Sequence, residues 1–316
     1  MYKEKRIAQS EFVPIRGLRY HVQQWAPGDA SASTPALVLL HGWMDVAASF
    51  QFVVDALDDA FASQRRIIAP DWRGFGQTSG GAVDCFWFPD YLADMDALLD
   101  HVSPDQPVDI LGHSMGGNVA MMYAGVRPER IKKLINVEGF GLAPTRPSQA
   151  PGRYARWLDE LKNARQGEGA LKSYASAAGV AERLIKTNPR LAPDKAAWLA
   201  ERWARPDATG SWHILGHAAH KLSNPQLYRV DEMLEMYARI RAPVLSIEAD
   251  HNALTAWWKG AYTLADYHER ITRIADARSA TITDAGHMLH HDQPEQLARL
   301  IERFLQQAPK AGLVSP

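Results

Sequence analysis

The sequence predicts an α/β protein, a mostly parallel sheet with helices on its faces. Three observations carry this. Short apolar, β-branched runs alternate with longer stretches of helical periodicity, as strands joined by crossover helices do. A stretch of some eighty residues near the middle then shows no buried-strand run at all. Hydrophobic residues make up 46% of a 316-residue chain, enough for a sizeable core and too many for disorder.

The elements follow in order. Phe12–Arg16 and Leu18–Trp25 flank Gly17 and form an opening hairpin. Leu37–Leu40, Arg66–Ala69, Val108–Leu111 and Leu134–Val137 are short buried strands, and Val244–Glu248 and Ala280–Thr283 complete the series. Between them Ala48–Phe61, Asp90–His101, Asn118–Val126, Leu264–Ile274 and Glu295–Gln306 repeat apolar residues at helical spacing. In and just after Asp90–His101 the stripe is Tyr91, Leu92, Met95, Leu98, Leu99 and Val102, with Asp94, Asp96 and Asp100 expected to face away. Pro294 opens the last helix, where a missing N–H is harmless. Ala30–Pro35 is an Ala/Ser/Pro patch expected to be a surface loop.

The strand-free stretch begins with Pro144, Pro147 and Pro151 and reads as helices over Tyr154–Ala164, Ala170–Lys186 and Asp194–Ala204, with Met233–Ile240 beyond. An α-rich insertion between two parallel strands is expected to form a lid over the carboxyl edge of the sheet, where open α/β sheets bind ligands. The expected division is a core of residues 1–140 and 233–316 and an inserted helical cap of residues 141–232. Trp157, Trp198, Trp203 and Trp212 concentrate in the cap, either lining an acyl pocket or forming its own core.

Thirty-five basic and 36 acidic side chains leave a net charge of −1, which argues against a nucleic-acid or anionic-membrane partner. The one cysteine, Cys85, excludes an intramolecular disulfide framework and a Cys-based zinc site. No apolar stretch approaches the roughly 20 residues of a membrane span. The N-terminal Met1–Arg6 is not followed by a signal-like apolar segment. A soluble cytoplasmic protein acting on a small molecule is the expectation.

The strongest chemical signal is Gly112-His113-Ser114-Met115-Gly116, directly after a strand and directly before a helix. A sharp strand-to-helix turn strains the middle residue, needs small neighbours, and presents a serine hydroxyl at the top of the sheet above a helix N-terminus. A hydroxyl is a poor nucleophile at neutral pH, so it needs a base and an orienting acid. Of twelve histidines, His287 in Asp284-Ala285-Gly286-His287-Met288 follows the last strand and is the candidate base. His290 and His291 are expected to face solvent or pack the next helix, and His113 to be structural. Asp250, at the end of Ser246-Ile247-Glu248-Ala249-Asp250, is the first candidate for the acid. Glu138, ending the preceding strand, is its rival. The backbone N–H groups of Met115 and of Trp43, in His41-Gly42-Trp43-Met44, are the candidate oxyanion donors.

Together His41-Gly42-Trp43, Asp71–Ser79, Gly112–Gly117, the strand ending at Asp250 and Ala285-Gly286-His287 resemble the α/β-hydrolase superfamily in its lid-bearing branch. The opening His41–Asp45 is similar to that of serine-hydrolase-like proteins within it. The resemblance implies a mostly parallel eight-stranded sheet flanked by helices, with the Asp71–Ser79 turn supporting the site wall. Ser114 stands where relatives that open epoxides or displace halide carry aspartate, which implies an acyl intermediate rather than an alkyl ester. Met44 stands where many epoxide hydrolases have proline. Some dehalogenases of the superfamily draw their acid from the Glu138 position.

No cofactor is implied: the H-E-x-x-H zinc signature, the phosphate loop and a dinucleotide fingerprint are all missing. His213, His217 and His220 recur at helical spacing, but a packing surface of the lid accounts for them at least as well as a metal site. The expected activity is a serine hydrolase cleaving a small, mainly apolar ester or related acyl compound, its rate rising as His287 loses a proton around pH 6–7. A non-catalytic ligand-binding protein and a carbon–carbon bond hydrolase are the alternatives on the same scaffold.

Overall fold

The computed structural model describes residues 1–28, 30–31 and 33–307. Residues 308–316, assigned above to the core, lie outside the described residues, as does Ala32 of the Ala30–Pro35 patch.

Eight strands form one sheet: β1 (Gln9–Ile15), β2 (Leu18–Trp25), β3 (Ala36–Leu40), β4 (Arg66–Pro70), β5 (Val108–His113), β6 (Ile131–Val137), β10 (Val244–Ala249) and β11 (Ala277–Ile282). A separate three-stranded sheet takes β7 (Ser173–Tyr174), β8 (Ala204–Pro206) and β9 (Trp212–Ile214). The main order is β1-β2-β4-β3-β5-β6-β10-β11. β1, β2 and β4 pair antiparallel, and every other neighbour is parallel. Arg16 and Gly17 both have positive φ, the two-residue turn that matches the twist of a hairpin.

The helices are α1 (Gln51–Ala56), α2 (Asp59–Ala62), α3 (Phe88–Val102), α4 (Met115–Val126), α5 (Ala150–Arg165), α6 (Ala177–Thr187), α7 (Pro193–Trp203), α8 (Val230–Ala238), α9 (Leu254–Trp257), α10 (Leu264–Ile271), α11 (Leu289–Asp292) and α12 (Pro294–Gln306). None among the described residues is long and apolar enough to cross a membrane. Alternation along the strands divides the core between two faces. Val38, Leu40 and Ile110 pack toward α3, α4, α8 and α10, whereas Leu37, Leu39 and Leu111 pack toward α1, α11 and α12. The Leu297, Ala298, Ile301, Phe304 and Leu305 stripe seats α12 on the second face.

The single helix expected over Ala48–Phe61 is broken. Leu57 is extended, and the Asp58 carboxylate accepts from the Ala60 and Phe61 N–H groups, starting a new helix. The insertion is also not purely helical. β7, β8 and β9 are two or three residues each, too short to leave a period-2 signal in the sequence. α6 and α7 pack Val180, Leu184, Leu199 and Trp203 against Val46, Ala48 and Phe52, and Trp198 and Trp212 join that cluster. These three tryptophans are cap core, while Trp157 lies against Trp87.

The cap is tied to the Asp71–Ser79 turn. Gly76 N–H donates to Leu215 O at 2.8 Å and His217 N–H to Gly74 O at 2.9 Å. The His220 ring is stacked between Phe75 and Phe86 at 3.8 Å from each. His213, on β9, bonds Asp207, and His217 caps a one-turn 3₁₀ helix, so the three histidines do not share a helix face.

Asp94, expected to face away from the core, is fully buried. α3 docks beneath the hairpin, and the carboxylate collects Arg16 Nη1 (2.9 Å), Tyr20 OH (2.7 Å) and both Arg73 Nε and Nη2 (2.6 Å each). Removing one partner of such a buried set strands the others' charge. Asp94→Ala should lose about 3–5 kcal/mol in urea denaturation; a loss within the ±0.5 kcal/mol of an ordinary surface substitution would contradict this reading.

Candidate active site

The strand order reverses direction between β3 and β5. From β3 the chain moves outward to β4, then returns across β3 to place β5 on its other side. The carboxyl ends at such a reversal form the ligand crevice of an open α/β sheet. The His41-Gly42-Trp43 segment leaves β3 there, and Ser114 leaves β5 there.

Ser114 has φ 51° and ψ −113°, a conformation that costs a non-glycine residue roughly 1–3 kcal/mol. The turn is held by Ser114 N–H donating to Val137 O at 2.8 Å and by Asn118 N–H donating to Ser114 O at 3.0 Å. Its glycines are steric requirements. A Cβ on Gly112 would lie 2.3 Å from Gly116 O, and one on Gly116 would lie 2.2 Å from Leu40 O. Met115 is the first residue of α4, so its N–H is one of the donors with no acceptor inside the helix.

His41 is buried and neutral, its pKa lowered by burial. Its Nε2 accepts from Trp72 N–H at 2.9 Å, so its Nδ1–H donates to Gly42 O at 2.7 Å. A trans peptide holds C=O and N–H antiparallel. Fixing the Gly42 carbonyl therefore turns the Trp43 N–H to the opposite side. Gly42 comes so close to the serine that a Cβ on it would lie 3.2 Å from Ser114 Cβ.

His287 Nε2 is 3.1 Å from Ser114 Oγ. Its Nδ1 is 3.2 Å from Glu138 Oε2. The structure thus gives the contact expected of Asp250 to its rival. The Asp250 carboxylate instead accepts from Asp284 N–H (2.8 Å) and Ala285 N–H (3.1 Å), bracing the turn that carries His287. Glu138 is buried at the end of β6 with φ 55°, and its Oε1 accepts from Ala249 N–H at 2.7 Å. Burial pushes the Glu138 carboxyl up to about 8, against the lowering effect of that bond. Burial likewise pushes His287 down to about 4.

Two further side chains flank His287: Trp257, which carried no sequence signal, and His113, expected to be structural. Trp257 sets its ring edge-on to the imidazole, 4.6 Å between centroids, and is half exposed. His113 donates from Nε2 to His287 O at 2.8 Å. His290 and His291 are buried rather than facing solvent, behind the triad-like cluster. A cavity of about 510 Å³ in the cap, lined by Glu160, Leu161, Lys221 and Leu222 among others, includes none of Ser114, Glu138 or His287.

Residues 35–294 match the family described as alpha/beta hydrolase fold. The chain belongs to that family. Among its relatives is a serine hydrolase-like protein of Danio rerio, 29% identical over 312 residues that span 95% of this chain and 90% of that one. An sn-1-specific diacylglycerol lipase of Mus musculus is 24% identical over 88% of this chain and 83% of its own length. Among solved structures, a thioesterase domain from the curacin biosynthetic pathway superposes with a TM-score of 0.77 at 25% identity, covering 93% of this chain and 99% of that one.

As an alpha/beta hydrolase fold, the molecule depends on the glycine-lined turn more than on any surface residue. Gly116→Ala sets a Cβ against backbone that cannot swing aside, and should cost about 3 kcal/mol or more by thermal or urea unfolding, at the top of the usual range for one substitution. Gly152→Ala, with nothing within 4 Å of the added carbon, should stabilise α5 by about 0.5–1 kcal/mol. Equal effects at the two sites would contradict this account of the turn.

Proposed function

We propose that this protein is a serine hydrolase that cleaves a small, mainly apolar ester or related acyl compound with Ser114, His287 and Glu138. The observation that carries the reading is the unbroken chain of contacts, 3.1 Å from Ser114 Oγ to His287 Nε2 and 3.2 Å from His287 Nδ1 to Glu138. Ser114 Oγ attacks the acyl carbon as its proton passes to His287 Nε2, and the carbonyl π pair moves onto oxygen. The N–H groups of Trp43 and Met115 receive that oxyanion. Collapse breaks the bond to the leaving oxygen, which takes the proton back from His287. Water then repeats the sequence on the acyl-enzyme and releases the acid. Glu138 keeps the Nδ1 proton in place and balances the imidazolium as it forms. Trp43 and Trp257, each about half exposed (52% and 51%), offer apolar faces beside this cluster. An unpaired cysteine and a small-molecule substrate fit a cytoplasmic enzyme.

Intact mass after fluorophosphonate treatment tests this reading. Wild type should gain one adduct and Ser114→Ala none. If folded wild type gains none, the ligand-binding alternative replaces the hydrolase.

The buried carboxyl–imidazole pair also sets the pH dependence. The relay runs with Glu138 ionised and His287 neutral. Burial favours the neutral form of both, so the last proton to leave is the one on Glu138, at about pH 8. kcat/KM should therefore rise with pH through about 8 rather than through the ordinary imidazole range near 6.5. A rise already complete by about pH 6.5 would contradict the assignment.

A further inference from the structure

Behind the serine, away from its hydroxyl, three buried side chains converge without satisfying one another. Potential ligand atoms of Asp45, His113 and His290 all lie within 4.8 Å of each other. Asp45 Oδ2, His113 Nδ1 and His290 Nδ1 are each buried with no hydrogen-bond partner. Leaving one such atom unpaired is costly, and three such side chains within one 4.8 Å cluster call for an occupant.

The protonation pattern says what kind. His113 Nε2 points at the His287 carbonyl, which can only accept, so that nitrogen carries the proton and Nδ1 presents a bare lone pair. Asp45 is 4% exposed, and its Oδ2 is 3.5 Å from His290 Nε2, too far for a good hydrogen bond. A metal ion would accept the bare His113 lone pair and meet the Asp45 carboxyl at the same point. Two imidazoles and one carboxylate suit a borderline-soft ion of the zinc type. His290 Nε2, 3.5 Å from Asp45 Oδ2, also meets Ser49 Oγ at 3.2 Å, so holding an ion through it would release that hydroxyl.

We propose that Asp45, His113 and His290 form a binding site for a zinc-type divalent cation directly behind the nucleophile turn. The cation would engage His113, whose opposite nitrogen holds the His287 main chain, so occupancy would reach the base from behind. That consequence for turnover rests on the hydrolase reading above; the binding does not. Because the ligands are buried, access requires opening of the short segment around α11, and association should be slow.

The test is titration of the full-length metal-free protein with Zn²⁺ against a chromophoric chelator. Wild type should bind one ion saturably, and Asp45→Asn and His290→Gln should each weaken that site by at least about 10–100-fold, while His213→Gln should not. No saturable binding by wild type, or binding that both substitutions leave unchanged, overturns the proposal. If either variant fails to fold by circular dichroism, X-ray absorption of Zn²⁺-loaded wild type decides. Imidazole nitrogens in a shell at about 2.0–2.1 Å support the site, and a shell of oxygen alone overturns it.

Discussion

The turn between β5 and α4 crosses the end of β3 with no room for a side chain: the Cβ that Gly116 lacks would lie 2.2 Å from Leu40 O. That close passage decides much else. It forces Ser114 into a left-handed conformation and lifts its hydroxyl out of the sheet. It also leaves the Met115 N–H uncommitted at a helix start and brings the Gly42 segment against the serine. Strain of this kind persists only where the surroundings over-determine it. Here they do, through Val137 O on one side and two glycines on the other.

The second constraint is that most polar groups around the turn are held by specific partners. His41 is fixed as a neutral tautomer by Trp72 on one nitrogen and Gly42 on the other. His287 is placed by three separate devices. Glu138 meets its ring, Asp250 braces its turn, and His113 holds its carbonyl. The division of labour between the two carboxylates explains why both stand at strand ends facing the same loop. One contacts the imidazole and the other shapes the backbone that carries it. Asp45, His113 and His290 are where this accounting is left open.

Much of the fold was legible in the sequence. The strand runs and the mostly parallel sheet follow from hydrophobic patterning, and Ser114 and His287 were found on glycine-bearing turns at strand ends, where the structure brings them within 3.1 Å. The acid was assigned to Asp250 ahead of Glu138, since both end strands, and the structure sets Glu138 against the imidazole instead. What separates them is loop placement that residue identity does not encode: Glu138 Oε2 comes to 3.2 Å from His287 Nδ1, while Asp250 is turned to the backbone of the next loop. Asp94 was misplaced for a similar reason. It stands three residues after Tyr91 and four before Leu98, on the buried face of α3, and its acidic side chain, which argued for solvent, is tolerated there because Arg16, Tyr20 and Arg73 meet it. The cap strands escaped because two or three residues cannot show a period.

The claim on which the account stands is that Glu138, rather than Asp250, serves His287. The most direct measurement is kcat of Glu138→Gln and Asp250→Asn on one activated ester, with folding of each checked by circular dichroism. The account expects Glu138→Gln to fall by about 10⁴-fold, as removal of an orienting triad carboxylate does. Asp250→Asn, which loosens the turn but leaves the relay intact, should fall by no more than about 10²-fold, the effect of a small displacement of the base. The reverse ranking, in two folded variants, would contradict it.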